Sequence, residues 1–146
     1  MEVREILECC LYAENLEATA DWYADLLGLA EFSRTPDRNV FFRVGERCFF
    51  LFNPASTRDP ASTQVGVPVH GAVGEGHVCF AIAADELDAW RDRLREKAVA
   101  IEREIEWPNG ARSLYFRDPA RNSVELSTPA LCGIDENKCF PPRASQ

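Results

Sequence analysis

The chain contains two stretches that look like copies of each other, and each has one polar residue where a strand would normally carry an apolar one. Residues 6–18 hold Glu8 in this place, and residues 76–89 hold His77. Each stretch passes from a strand-like pattern into a helix-like pattern. A third such residue, Glu125, interrupts a later apolar run. The duplication restricts the fold to architectures built from two similar modules.

The two polar residues of the duplicated stretches occupy equivalent strand positions. Glu8 lies eight residues before Leu16, and His77 lies ten residues before Leu87. The difference between these two spacings is even, so strand alternation puts both side chains on equivalent faces. One histidine and two carboxylates at strand positions of a duplicated chain suggest a metal site built between two half-domains.

The predicted elements follow the same order in both halves. Strands are expected at 3–12, 29–34, 39–44 and 48–53, and again at 76–83, 100–107, 111–117 and 122–127. A helix follows the first strand of each half. The first runs over 16–27 with Asn15 as N-cap and Gly28 as stop, and the second is capped by Asp85 and runs to about 97. The order is therefore β-α-β-β-β, twice, which predicts an α+β chain.

One domain is expected, with a long connection between its modules. Module one spans 3–53, the Pro- and Gly-containing stretch 54–75 has no periodicity and is interpreted as a linker, module two spans 76–128, and 129–146 form a tail. We expect the two modules to form an eight-stranded, incompletely closed sheet with a cupped inner face and helices outside.

Charge and cysteine content narrow the class of function. Sixteen basic and 24 acidic residues give a net charge of −8, which disfavours nucleic acid as a partner. There is no apolar run of about 20 residues and no apolar signal core, so a cytoplasmic protein without a membrane partner is expected. None of the six cysteines forms a C-x-x-C pair, and four lie in apolar runs, which indicates a reduced protein. A disulfide between Cys132 and Cys139 stays open as an alternative.

Several short motifs together suggest a known family. They are residues 11–18, Trp22-Tyr23, residues 27–29, residues 76–80 and residues 115–126. In this order and spacing the chain resembles the glyoxalase / bleomycin resistance / extradiol dioxygenase families, together called the vicinal oxygen chelate superfamily. The resemblance covers residues 4–128.

The resemblance implies a fold, a cofactor and a set of metal ligands. Paired βαβββ modules would form a cup that holds a divalent metal, with Glu8, His77 and Glu125 as ligands and with Glu8 and Glu125 as the catalytic carboxylates. Such ligands suit Mn, Fe, Ni, Co or Zn. The ion would act as a Lewis acid, and the base would be metal-bound water or a ligand carboxylate. A fourth ligand used by glyoxalase I is missing, because residues 48–53 hold no carboxylate.

Further residues are assigned to substrate binding and to the mouth of the pocket. Four side chains are expected to contact the substrate: Arg112, Tyr115, Phe52 and Trp107. An arginine on a strand, one of Arg43, Arg112 and Arg117, would bind an anionic substrate group, unless these side chains only pair with surface acids. His70 in the linker is either a base at the pocket mouth or an exposed loop residue. A homodimer is expected, since relatives usually dimerise.

Three functions stay open from the sequence. The leading one is a metal-dependent lyase or isomerase, or a related transferase, that chelates a small oxygenated substrate. The second is a bleomycin-type resistance protein that sequesters a cationic drug without metal, which the acidic charge would favour. The third is a ring-cleaving dioxygenase, although such relatives usually have twice this length and two histidines with one carboxylate.

Overall fold

The computed structural model describes residues 1–62 and 66–141, which belong to two compact units with one four-stranded sheet each. The first unit contains residues 1–76 and 118–122, and the second contains residues 77–117 and the chain from Ser123 onward. The predicted α+β class and the repeated β-α-β-β-β order are confirmed. The eight strands are divided four and four between two mixed sheets.

The first unit is a sheet with one long helix. Its elements are β1 (Glu8–Tyr12), α1 (Leu16–Leu27), β2 (Ala30–Thr35), β3 (Asn39–Val44), β4 (Arg47–Phe52) and the short helix α2 (Pro54–Arg58). The strand order is β1-β4-β3-β2, with β1 parallel to β4 and the other neighbours antiparallel. Strand β1 therefore lies at an edge of its sheet.

Helix α1 forms where its apolar periodicity predicts. Leu16, Thr19, Ala20, Tyr23 and Leu26 are buried along one stripe, and the helix ends at Gly28 in the left-handed conformation that a C-terminal glycine adopts most readily.

Asn15 is the N-cap residue of α1, as the sequence predicts. Asn15 precedes the helix, but its side chain makes no capping bond to the backbone. Its Oδ1 accepts from the Thr19 hydroxyl at 3.0 Å, and its Nδ2 donates to the Pro119 carbonyl at 3.3 Å. The side chain is thus used to attach the 118–122 turn to the start of the helix.

The second unit repeats this pattern. Its elements are β5 (His77–Ala81), α3 (Leu87–Glu96), β6 (Arg103–Glu106), β7 (Arg112–Arg117), β8 (Ser123–Ser127) and the short helix α4 (Glu136–Cys139). The strand order is β5-β8-β7-β6, with β5 parallel to β8. A single 3₁₀ turn, Ala84–Glu86, precedes α3. Asp85 is inside that turn, and the Glu86 carboxylate accepts from the Ala83 amide instead, so the expected Asp85 cap is wrong.

Two other expectations are corrected by the structure. Strand β1 begins at Glu8 rather than at residue 3, and Ile6 and Leu7 before it are exposed. The stretch interpreted as a plain linker contains α2 and a 3₁₀ turn at Pro60–Ser62. Asn53 starts α2, since its Oδ1 accepts from the Ala55 amide at 3.0 Å.

A buried polar turn stabilises the first unit. The Asp118 carboxylate accepts from the Asn122 amide (2.8 Å), from Asn122 Nδ2 (2.8 Å) and from the Tyr23 hydroxyl (3.1 Å). Asn122 also donates to the Tyr12 carbonyl at 3.2 Å and accepts from the Gly76 amide at 2.8 Å. A Cβ at Gly76 would come within 2.6 Å of the Leu11 side chain and 3.1 Å of Asn122 Oδ1, so a larger residue there would require these side chains to shift.

Two further observations concern the expectations about membrane spans and disulfides. Over residues 1–62 and 66–141, no helix has the length and apolar character needed to cross a bilayer. All six cysteines are free thiols in the structure, including Cys132 and Cys139.

Candidate functional site

One face of the second sheet collects the polar residues that the sequence singles out. In the strand register, Glu125 of β8 lies beside Cys79 of β5 on one side and Tyr115 of β7 on the other. His77 is two residues before Cys79 and therefore shares its face. The residues between them, such as Val78, point the other way into the apolar core. The strand alternation thus brings two predicted ligands and a predicted substrate-binding residue onto one surface.

The His77 ring is held in a defined orientation beside Glu125. His77 Nδ1 lies 3.1 Å from the Ser123 carbonyl oxygen, and His77 Nε2 lies 3.3 Å from Glu125 Oε2. Because a carbonyl only accepts, Nδ1 must carry the hydrogen, which in the neutral imidazole leaves the Nε2 lone pair on the side of the carboxylate. The ring also lies nearly parallel to Tyr115, at 6.3 Å between centroids. Metal-binding histidines typically have one nitrogen fixed in this way.

The Glu125 carboxylate is buried and incompletely satisfied. The residue is 3% exposed, and its Oε1 meets no hydrogen-bond donor within the described part of the chain. A buried carboxylate oxygen without a partner is costly, and natural structures rarely keep one without a reason. A cation bound beside His77 Nε2 would supply the missing partner. The donor set of one imidazole nitrogen and one carboxylate therefore fits a divalent metal ion.

Two protonated groups flank this carboxylate. Burial, followed by the charge of Glu125, raises the pKa of the Cys79 thiol to about 12. Burial, followed by the interaction with Glu125, raises the pKa of the Tyr115 hydroxyl to about 12. Both groups stay neutral at physiological pH, so neither neutralises the Glu125 charge and neither acts as a base there.

The structure brings together two of the three predicted ligands within one unit. His77 and Glu125 belong to the second unit, whereas Glu8 belongs to the first. Within residues 1–62 and 66–141, no group of three or more His, Cys, Asp and Glu side chains is positioned to hold a metal ion. A catalytic site usually has three protein ligands, so the His77–Glu125 pair is one ligand short.

Glu8 lies on the corresponding face of the first sheet. Its register partner on β4 is Cys48, and Cys10 and Tyr12 follow it on the same side of β1. Glu8 is exposed, and no cation of the described residues pairs with it. It lines a cleft of about 840 Å³ that also contains Phe52, another residue expected to bind substrate.

His70 contributes to the wall of this cleft and is not a freely exposed loop residue. Its Nδ1 lies 2.8 Å from the Tyr12 hydroxyl oxygen, and its ring meets Phe52 edge-on at 4.8 Å between centroids. The His70 amide donates to the Thr57 carbonyl at 3.2 Å, which fixes this part of the chain on α2. His70 is therefore a positioned, half-buried side chain.

The remaining predicted substrate residues lie in different places. Arg112 is three residues from Tyr115 on β7, so it points to the opposite face from Glu125. There Arg112 Nη2 pairs with Glu104 at 3.2 Å, and the same carboxylate pairs with Arg91 of α3. Trp107 lies at the end of β6, where its Nε1 donates to the Ser113 hydroxyl at 2.9 Å.

Sequence reasoning missed one functional candidate, Arg38. The sequence places it in a turn, and the structure shows it lining the cleft that contains Glu8. Arg38 Nη1 donates to the Ser56 carbonyl (3.2 Å), the Ser56 hydroxyl (3.4 Å) and the Ser62 hydroxyl (2.6 Å). These partners are 18 and 24 residues away along the chain, so no local pattern pointed to them.

Two β-α-β-β-β units, with ligand-type residues at equivalent first-strand positions, define a paired-module α+β protein. The chain belongs to the Glyoxalase/Bleomycin resistance protein/Dioxygenase superfamily, whose family model matches residues 5–126.

Solved structures agree with this assignment. The chain is 38% identical to a lactoylglutathione lyase from Agrobacterium tumefaciens, with a TM-score of 0.86 over 92% of this chain and 100% of that one. It is 24% identical to a glyoxalase/bleomycin resistance protein/dioxygenase from Nocardioides, with a TM-score of 0.67 over 88% and 85% of the two chains. It is 17% identical to a mutant of the fosfomycin resistance protein FosX from Listeria monocytogenes, with a TM-score of 0.65 over 87% and 93%. The last two likenesses are to the fold alone.

Proposed function

We propose that this protein is a metal-dependent glyoxalase-like enzyme, a lyase or isomerase or a related transferase. Its substrate would be a small molecule that presents two neighbouring oxygens to a divalent ion. The observation that supports this best is the buried Glu125 carboxylate, whose Oε1 lacks a partner within the described residues while Oε2 faces His77 Nε2.

The ligands of the ion would be His77 Nε2 and the Glu125 carboxylate, with Glu8 as the third ligand expected from the sequence. This set suits Mn²⁺, Fe²⁺, Ni²⁺, Co²⁺ or Zn²⁺. When bound, such an ion acts as a Lewis acid on substrate oxygens. The Ser123 carbonyl keeps the hydrogen of His77 on Nδ1, and so keeps the Nε2 lone pair available for binding.

The carboxylates of Glu125 and Glu8 suit a metal-binding role better than a purely structural role. Glu125 and Glu8 together carry the charge needed to neutralise a divalent ion, and no cation of the described residues other than the His77 ring is within ion-pairing distance of either. Residues 48–53 supply no further carboxylate. The proposed ion would thus keep open positions for the substrate after three protein ligands are in place.

The relatives guide the choice of substrate. The Agrobacterium tumefaciens protein is a lactoylglutathione lyase, so lactoylglutathione is the first compound to assay with this chain. The FosX mutant is a complex with Mn(II) and 1S,2S-dihydroxypropylphosphonic acid. At that identity it supports only an analogy between folds.

Metal analysis of purified variants tests the proposal. We expect about one divalent ion per chain in the natural protein, and its loss in His77→Ala and in Glu125→Ala. His70→Ala is the matched control, because it removes the other histidine of the chain and leaves the proposed ligands intact. Glu8→Ala also leaves two of the three proposed ligands, so it should lower the metal content of the purified protein as well. Full metal retention in both the His77 and the Glu125 variants would refute the proposal.

The drug-sequestering alternative makes the opposite prediction. Such a protein would bind a cationic ligand equally well before and after metal removal with a chelator. The unsatisfied Glu125 oxygen favours the metal-dependent function, because a metal-free groove leaves that oxygen without a partner.

A further inference from the structure

The cleft of the first unit has one cationic side chain that is fixed in place without a neutralising acid. Arg38 is held by oxygens of Ser56 and Ser62 through Nη1 alone. A guanidinium has five N–H donors, so those on Nε and Nη2 are left without a partner among the described residues. Among the described residues, other arginines of this acidic chain do pair with a carboxylate, including Arg34, Arg47, Arg91, Arg95, Arg112, Arg117 and Arg121.

Next to Arg38 the cleft wall is aromatic. Phe41 and Phe52 pack edge-to-face at 5.7 Å between centroids, and both line the cleft. Tyr12 and His70 continue this wall, with 6.1 Å between the Tyr12 and Phe52 rings. An aromatic wall with one fixed cation suits a ligand that has an apolar body and an anionic group.

The two charged groups of the cleft lie toward opposite ends of the strands. Glu8 begins β1, and Tyr12, which ends it, is level with Phe52. The Asn53 amide donates to the Arg38 carbonyl at 2.9 Å, which places Arg38 at the Phe52 end. Tyr12 lies four positions after Glu8 on the strand, a distance of about 13 Å. A ligand in the cleft would therefore be oriented by charge, with its anionic group away from Glu8.

We infer that this cleft binds a small organic acid, with its carboxylate on Arg38 and its apolar body against Phe41 and Phe52. The inference rests on the proposed function for one point only, that the ligand is the substrate whose other end approaches Glu8. Arg38 then determines which substrates are accepted, because Nε and Nη2 together match the two oxygens of a carboxylate.

Binding of a matched acid and amide tests this directly. The probes are 4-phenylbutyrate and 4-phenylbutanamide, which have the same shape and differ in charge, titrated by calorimetry into protein stripped of metal and dialysed. We expect the natural protein to bind the acid about tenfold more tightly than the amide, or more, since a charge-assisted pair is lost with the amide. Neither probe has two chelating oxygens on adjacent carbons, so the result does not depend on a metal.

Three variants locate the preference. Arg38→Gln should bring the two affinities within about twofold. Arg38→Lys should keep only part of the preference, because it keeps the charge but loses the two-point match to the carboxylate. Arg43→Gln is the matched control, because Arg43 is on the neighbouring strand, lies 4.3 Å above the Phe32 ring and does not line the cleft. It should keep the full preference.

The outcomes separate this inference from the proposed function. Equal binding of acid and amide by the natural protein, an undiminished preference in Arg38→Gln, or an equal loss in Arg43→Gln would overturn it. If Arg38→Gln does not fold, NMR of the natural protein provides the test instead. The Nε–H resonance of Arg38 must shift when the acid is added and must stay in place when the amide is added. If the protein prefers the acid but binds no metal, only the proposed function is refuted. If the protein binds metal but does not prefer the acid, only this inference is refuted.

Discussion

Replacing Glu125 by Gln gives the sharpest test of the buried carboxylate. The substitution keeps the size of the side chain and removes its charge. Glu125 is 3% exposed, with Oε1 unpartnered inside the described structure and Oε2 3.3 Å from His77 Nε2. A glutamine amide in place of Oε2 would donate to the Nε2 lone pair, since the Ser123 carbonyl already holds the hydrogen on Nδ1.

The expected effect of Glu125→Gln on stability differs between the metal-free and the metal-saturated protein. A buried, unsatisfied polar group costs about 1–3 kcal/mol, and more when it is charged. Without metal, Glu125→Gln should therefore raise the free energy of unfolding by about 1–3 kcal/mol. At a free metal concentration of 100 times its Kd, the natural protein should gain about 2.7 kcal/mol. The variant should gain almost nothing, because it has lost a charged ligand.

Urea unfolding followed by circular dichroism measures both effects. The control is Glu106→Gln, which removes one charge from an exposed position on β6 and should change neither value. If Glu125→Gln is less stable than the natural protein without metal, the carboxylate is satisfied in the folded state. Retention of Glu125 for a bound ligand would then be refuted.

Two further predictions concern the turn between β7 and β8. Asn122→Ala removes three hydrogen bonds, of which the one to the Asp118 carboxylate is buried and the other two are partly buried. The change should cost about 3 kcal/mol in urea unfolding with an unchanged m-value, and a loss below about 1 kcal/mol would contradict the role given to this turn. Arg121 has a positive φ of 70°, which glycine adopts without strain, so Arg121→Gly should stabilise the protein by about 1 kcal/mol. The lost exposed pair with Glu75 should reduce this gain by a few tenths of a kcal/mol. The melting temperature should therefore rise, and a lower melting temperature would show that the backbone there is not strained.

Strand alternation explains which of the residues assigned to the site lie on one face of the second sheet and which do not. The even spacing rule placed His77 on a face of β5, and the structure puts Glu125 beside it on β8. The same rule argues against placing Arg112 and Tyr115 on one substrate-binding surface, because residues three apart on one strand point to opposite faces. Arg112 is engaged with Glu104 on the far side of the sheet, which is the surface pairing that the sequence left open as the alternative.

Residues outside the strands were harder to assign, because their positions depend on distant contacts. Arg38 lies in a turn, and only its bonds to Ser56 and Ser62 fix it in the cleft. His70 lies in a stretch without periodicity, and its place is set by Tyr12 and by the backbone of α2. A one-dimensional pattern contains no information about such contacts, so His70 stayed open between two roles and Arg38 was not considered.

The repeated order of strands and helices was already determined by the sequence, because periodicity and turn residues act over a few positions at a time. The same holds for the strand alternation that puts Glu8 and His77 on equivalent faces of their strands. Only the tertiary structure decided that a β8 carboxylate is buried with one unpartnered oxygen next to a fixed imidazole, and that a turn arginine faces an aromatic cleft. Burial and partnership are properties of packing between segments far apart in the chain, and no local pattern specifies them.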